Sequence, residues 1–312
     1  MAKRILVIGS AGIDLILNLH RIPSVDETLI ENSAYCMIPG GNGSEAAVAL
    51  GKLGASVAFC TRLGADSHGQ RLASLYHELA IDTSCLSIDK VGNTAFRTVM
   101  VEENGNTRTV SYPGASANLS RGDIENAFSS QPDGLFLSCD IPFELVRFAS
   151  ELADSRGIPV FLNASPATPE VNIDTLPPVD IFCVNENEIH AYTGLTVSGL
   201  DSFLRAGLEL SRHVKAKYYV FKLGSRGAYL YDGRFCHLSP AYPVRKIVDA
   251  AGAGIAFTAA MTAEYLRNGG MIQDACRYAN AAAALTMQKT GAASSIPSND
   301  EVVEFMQTHP AP

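Results

Sequence analysis

The sequence predicts an α/β protein: a three-layer, mostly parallel sheet with helices on both faces, plus a small β-sheet lid. Three observations carry this. Short apolar runs alternate with helical patterns along the chain, the rhythm of βα units. The runs at 135–138, 159–163, 181–184 and 218–223 are largely apolar rather than alternating, as strands covered on both faces are. Two segments, about 14–38 and 94–112, break the rhythm with mixed apolar and polar residues and supply the lid.

The elements follow in order. Residues 4–8 read as a buried strand ending at Gly9. Ala46, Ala47, Leu50 and Leu53 lie at helical spacing, so 44–53 is a helix. A short strand at 57–60 and a helix at 66–79 come next. Segment 94–112 alternates like antiparallel strands around the turn Glu103-Asn104-Gly105-Asn106. Ser120 and Asp123 form a capping-box start for a helix through Phe128. Helical patterns at 142–155, 186–193 and 199–213 separate the apolar runs. Strands at 228–231 and 235–238 precede two Ala-rich helices near 253–267 and 272–289. Neither an internal repeat nor a low-complexity linker divides the chain, so 1–312 reads as one domain with an inserted flap.

Composition narrows the function. With 312 residues, 47% hydrophobic and 18% charged, the chain is globular. Its net charge of −8 comes with no basic cluster, which argues against nucleic acid. No apolar stretch approaches a membrane span, and the opening residues lack a signal-peptide pattern. Seven scattered cysteines without a C-x-x-C pair suit reduced thiols in a cytoplasm.

The motifs that carry chemistry lie at strand ends and helix starts. No P-loop pattern is present, and the first turn, Gly9-Ser10-Ala11-Gly12, is not a dinucleotide fingerprint. That disfavours a nicotinamide oxidoreductase. Ala251-Gly252-Ala253-Gly254 runs straight into a helix. A bare helix start presents unpaired N–H groups and the positive end of the macrodipole, so it attracts anions. Pro39-Gly40-Gly41-Asn42-Gly43-Ser44-Glu45 lets backbone approach a polyol closely, and reads equally as a loop with an N-cap. Asn185 and Glu188 follow a buried strand and offer hard oxygens for magnesium through its waters; they also suit a plain helix N-terminus. Lys222-Leu223-Gly224-Ser225-Arg226-Gly227 is a tight turn able to lie against phosphates, or a hairpin. The segment from Lys289 through Gly291 to Ser295 offers oxygens to a monovalent cation, or a helix C-cap at Gly291.

Taken in order, these pieces resemble the ribokinase family of carbohydrate kinases, also called the PfkB family. Gly9-Ser10 through Asp14, Gly40-Gly41-Asn42-Gly43, the stretch from Arg62 to Gly69, Asn185-x-x-Glu188, Leu223-Gly224-x-x-Gly227 and Asp249-x-x-Gly252-Ala253-Gly254 keep the family's order and spacing across nearly the whole chain. The resemblance implies ATP-dependent phosphorylation of a primary hydroxyl on a small sugar or nucleoside. Asp14, Gly41, Asn42, Glu45 and Asp140 would hold sugar hydroxyls. Asn185 and Glu188 would organise Mg2+ and phosphates, with Lys222, Gly224, Gly227 and Asn280 along the nucleotide. Ala251 to Gly254 would form the anion hole. Asp249, Ala251, Thr286, Lys289, Gly291 and Ser295 match the family's K+ region, largely through backbone oxygens. The lid would join a homodimer.

The chain departs from that pattern at decisive places. The family places an Asp after Gly-Ala-Gly to take the acceptor's proton; here stands Ile255, which accepts neither proton nor hydrogen bond. Loss of general-base help costs on the order of 10²–10⁴ in rate. The resemblance therefore leaves three readings: a weak or inactive homologue, such as a pseudokinase that senses or scaffolds, an altered mechanism using another carboxylate, or an isoleucine introduced at 255 in place of the natural residue. The sugar pocket departs too. Gly12, Asn42 and Glu45 stand where the family's ribose site carries Asn, Lys and Asn, and Asp140 stands for Glu. Glu45 reads as a helix cap or as a partner for an amino-bearing ligand.

Overall fold

Strands apolar on both faces need helices above and below, and the chain provides them in sequence. The computed structural model describes residues 2–103, 106–289, 291 and 295–309. Its main sheet has nine strands in the order β13-β12-β11-β10-β9-β8-β1-β4-β5. These are β1 (Arg4–Ile8), β4 (Ser56–Gly64), β5 (Leu86–Asp89), β8 (Gly134–Ser138), β9 (Val160–Asn163), β10 (Val179–Asn185), β11 (Ala216–Lys222), β12 (Ala228–Tyr231) and β13 (Cys236–Ser239). Every pairing from β5 to β11 is parallel, whereas β12 and β13 add antiparallel. The α/β expectation is borne out.

Helices cover both faces. They are α1 (Asn42–Lys52), α2 (Ser67–Glu78), α3 (Arg121–Ala127), α4 (Phe143–Ser155), α5 (Glu186–Thr193), α6 (Leu200–His213), α7 (Ala253–Arg267), α8 (Ile272–Thr286) and α9 (Asn299–Thr308). One core cluster packs Leu6, Leu137, Phe182 and Phe221 against α3 to α6. Two others pack Val7, Phe59 and Phe136, or Phe161, Ile181 and Val220, against α1, α2, α7 and α8. The Ser120–Asp123 capping box forms as expected.

A second sheet lies beside the first, in the order β3-β2-β6-β7: β2 (Gly12–Leu19), β3 (Cys36–Gly40), β6 (Ala95–Glu102) and β7 (Thr107–Tyr112). It is the lid the rhythm break predicted. Residues 20–35, expected to be extended, contribute no strand and only connect β2 to β3. Of the turn after β6, Asn104 and Gly105 lie outside the described residues. The helix expected over 272–289 stops at Thr286 with Met287 as C-cap, so Gly291 (φ 91°) is not its cap. Helix α9 was not expected, although Ser298 and Glu301 build a capping box at its start.

Candidate active site

Main-sheet strands converge on one cleft with their carboxyl ends, where open α/β sheets bind ligands. Here β1 leads into Gly9-Ser10 and β8 into Cys139-Asp140, while β9 ends at Asn163, β10 at Asn185 and β11 at Lys222. The first of these must run against α1. A Cβ on Gly43 would sit 2.5 Å from the Gly9 carbonyl carbon, so only glycine permits this approach.

The cleft has two lobes, about 310 Å³ and 360 Å³, that share Asp14, Asn42, Arg97, Thr109 and Ser165. The first lobe adds Ser10, Gly41 and Asp140 beneath the lid residues Ser111 and Tyr112. The second adds Glu45, Asn163, Asn185, Lys222, Ala251, Gly252, Gly254 and Ile255. Residues more than two hundred positions apart in sequence thus face one space.

In the first lobe both aspartates are committed. Asp14, on β2, accepts a two-pronged ion pair from Arg97 of β6; its Oδ1 receives Nε at 3.0 Å, and its Oδ2 receives the other guanidinium nitrogen. Asp140 accepts the Asn42 amide at 2.8 Å and the Ser10 amide at 3.2 Å, along with the Ser10 and Ser138 hydroxyls. The Asn42 side chain in turn donates to the Ser165 carbonyl at 3.1 Å. Asp14 keeps a lone pair on each oxygen for ligand hydroxyls, whereas the four bonds to Asp140 take up its acceptor sites; both carboxylates are fixed in position.

Glu45 differs. It is 6% exposed, and among the described residues nothing donates a hydrogen bond to its carboxyl. The expected capping role is overturned: Gly41 is the N-cap of α1 and no side chain caps that helix. Burial first, then the nearby Asp14 and Asp140 charges, push its pKa up to about 8; Arg97 pulls the other way.

The second lobe centres on the start of α7. Gly252 is its N-cap, in the left-handed region at φ 76°, and no side chain caps the helix. The Ala253 amide donates to the Ala250 carbonyl at 3.3 Å, and the next amides, of Gly254 and Ile255, face a ligand with no side-chain cap. Lys222 Nζ would stand 3.9 Å from a Cβ on Gly254 and donates to Asn163 Oδ1 at 2.7 Å. Asn163 is fully buried, and its Nδ2 has no partner among the described residues. Ile255 is 7% exposed and packs in the cluster of Ala46, Ala49 and Ala259, with one side on the cleft.

The other expected residues fall around this centre. Asn185 caps α5, its Oδ1 accepting the Glu188 amide at 2.9 Å; Glu188 accepts the Asn185 amide at 2.7 Å and side-chain amide at 3.0 Å. This helix-start bonding occupies one lone pair on each Glu188 oxygen, leaving acceptor capacity that fits a metal's water. Gly224 and Gly227 form the turn between β11 and β12. Asn280 donates to the Ser239 and Pro240 carbonyls at 3.0 and 3.1 Å, and so holds the stretch after β13. Asp249 accepts the Ala251 amide at 2.9 Å and the Gly291 amide at 3.0 Å, which ties the α7 approach to the segment after α8. Thr286 is buried, bonding Ala282. The Lys289 side chain pairs outward with Glu301 at 2.9 Å. Ser295 is buried and donates its amide to Gly291. Thr290 and 292–294 lie outside the described residues.

Three site residues escaped the sequence reading: Arg97, Asn163 and Ser165. A charged residue amid the strand pattern Phe96-Arg97-Thr98 and an Asn closing an apolar strand were the available signals.

Fold and cleft together define a sugar kinase of the ribokinase fold. The model of the pfkB family carbohydrate kinases matches residues 2–299, and the chain belongs to that family. It is 28% identical to the ribokinase of Haemophilus influenzae over 310 residues, covering 98% of this chain and 99% of that one. It is 30% identical to the ribokinase of Bacillus subtilis over 308 residues, covering 97% and 99%. The structure of Arabidopsis thaliana ribokinase complexed with ribose and ATP superposes with a TM-score of 0.88 at 26% identity, covering 98% and 99%.

Proposed function

We propose that this chain transfers the γ-phosphoryl group of ATP to a primary hydroxyl of a small sugar or nucleoside. One observation carries the reading: the lobe of fixed carboxylates opens directly onto the uncapped start of α7. A polyol held by Asp14, Asn42 and the Gly41 backbone, with Asp140 exchanging a serine hydroxyl for a sugar hydroxyl, would present a hydroxyl toward Gly252–Gly254. The amides there, with Lys222, would stabilise the charge on the transferring group, which is where phosphoryl transfer gains most of its rate. Gly224, Gly227 and Asn280 would border the nucleotide. The ribose and ATP held by the Arabidopsis enzyme are the model for both ligands.

Mg2+ would be held through water by Asn185 and Glu188 and would neutralise phosphate charge. K+ would be held mainly by backbone oxygens of Asp249, Ala251, Thr286, Lys289, Gly291 and Ser295. The exposed edge of the lid would join two copies of the chain. Free cysteines, four of them buried, suit a cytoplasmic setting. Among the described residues no helix is long and apolar enough to cross a membrane.

The test is ADP release over a panel of pentoses, hexoses and nucleosides with Mg2+ and K+ present. Turnover with one member is expected. The buried Ile255 favours a second reading, a pseudokinase. Calorimetric binding of sugar and ATP without any turnover would establish that reading instead.

A further inference from the structure

We propose that Glu45 takes the proton from the acceptor hydroxyl, the task that an isoleucine at 255 cannot perform. The inference rests on the kinase reading above and assigns it a proton acceptor.

Three carboxylates face the cleft. Asp14 is engaged by Arg97, and Asp140 by two amides and two hydroxyls. Only Glu45 has no donor among the described residues, although it is buried. It also lies in the right half of the cleft: it lines the lobe of Gly252, Gly254 and Lys222, and not the lobe floored by Asp140. Helices α1 and α7 pack against each other, and Ile255 shares a core cluster with Ala46, the residue after Glu45, while Glu45 and Ile255 line the same lobe. A carboxyl from α1 therefore reaches the space that the side chain at 255 leaves apolar.

The step balances simply. A lone pair of the hydroxyl oxygen forms the new O–P bond, the bond from the γ-phosphorus to the β-phosphate oxygen breaks, and ADP leaves with that electron pair. The hydroxyl proton passes to a Glu45 oxygen and returns to water after product leaves.

The charged groups around Glu45 are Asp14 on β2, Arg97 on β6, Asp140 after β8 and Lys222 on β11; α7 contributes none. Its two carboxylate neighbours and its burial give it a proton affinity near working pH, where general bases act best. Ionised Glu45 is the active form, so kcat should rise with pH through about 8 and level off above it.

The experiment compares the parent, Glu45→Gln, Ile255→Asp and the double variant, with ATP over the same panel of pentoses, hexoses and nucleosides. Gln keeps the shape of the protonated acid, and a melting curve with ATP titration verifies folding. The expected result is a loss in kcat of about 10²-fold or more in Glu45→Gln with KM little changed. Ile255→Asp in that background should restore turnover and move the pH profile to lower pH. A Glu45→Gln variant that keeps its kcat overturns the proposal. So does a loss that Ile255→Asp fails to rescue, which would make Glu45 a sugar ligand only. Turnover by Ile255→Asp but not by the parent overturns the base and spares the kinase reading. Turnover by neither overturns both.

Discussion

Glu45 stores a proton that the unfolded chain would release near its ordinary value of 4.5, whereas the folded chain holds it to about pH 8. Between those values the folded state binds more protons, so stability should fall as pH rises and level off above about 8. The slope is at most about 1.4 kcal/mol per pH unit. Glu45→Gln removes this titration, so its melting temperature should gain on the parent's from about pH 5 to about pH 8; parallel curves would show that Glu45 ionises freely. Ile255 offers a second residue-scale prediction. At pH 7 about one tenth of Glu45 is ionised, whereas a carboxylate at 255 of ordinary acidity is fully so. Ile255→Asp should raise sugar-dependent ADP release at least ~tenfold at neutral pH, with the gain shrinking at higher pH. A variant no faster than the parent would place the slow step outside proton transfer. Replacing a packed side chain among Ala46, Ala49 and Ala259 should also lower the melting temperature. The oddity of Ile255 was legible in the sequence; the isolation of Glu45 was not. Its neighbours Asp14, Arg97 and Asp140 come from three distant strand ends, and only the fold reveals that Arg97 is spent on Asp14.

Helix α7 owes its anion-binding potential to what is missing: side-chain caps and bulk at Gly252 and Gly254. A Cβ at Gly254 meets only Lys222 Nζ, at 3.9 Å. Gly254→Val should therefore fold normally yet fill the lobe where phosphate would sit. ATP affinity and turnover should both collapse, while far-ultraviolet circular dichroism stays at the parent's level. Unchanged nucleotide affinity would move the phosphate away from α7. The elements themselves were largely legible, because strands buried on both faces give unbroken apolar runs and helices repeat at 3.6. Boundaries slipped where capping decides them: Ser298 and Glu301 announce α9, yet follow no strand that would prepare for a helix. Asn185 and Glu188 show the opposite case. The motif is visible in sequence, and its hydrogen bonds serve the start of α5; any metal it holds must share those oxygens.

At the scale of the molecule, the two sheets divide the work: the main sheet supplies strand ends, and the lid supplies Asp14, Arg97 and a roof. The lid's parallel β2–β6 pairing joins residues some eighty positions apart, which no local pattern announces, so sequence gave the flap and not its register. Asp66 fastens the lid's base to the main domain: its Oδ1 accepts the Thr94 hydroxyl and its Oδ2 the Thr94 amide, both at 2.7 Å. The outer strand β7 is exposed along its length, with Val110 at 47% and Tyr112 at 63%. Unpaired edges of this kind invite a second strand. Thr109 and Ser111 line the cleft and Val110 does not, in keeping with strand alternation. If two lids meet along this edge, Val110→Glu places like charges against each other without altering the cleft lining. Light scattering at micromolar concentration should then find a dimer for the parent and a monomer for the variant. Sugar affinity should weaken as well, because a lid held by its partner closes over the cleft at lower entropic cost. A parent that is monomeric throughout, or a variant that stays dimeric, would separate assembly from β7 and leave the lid to act within a single chain.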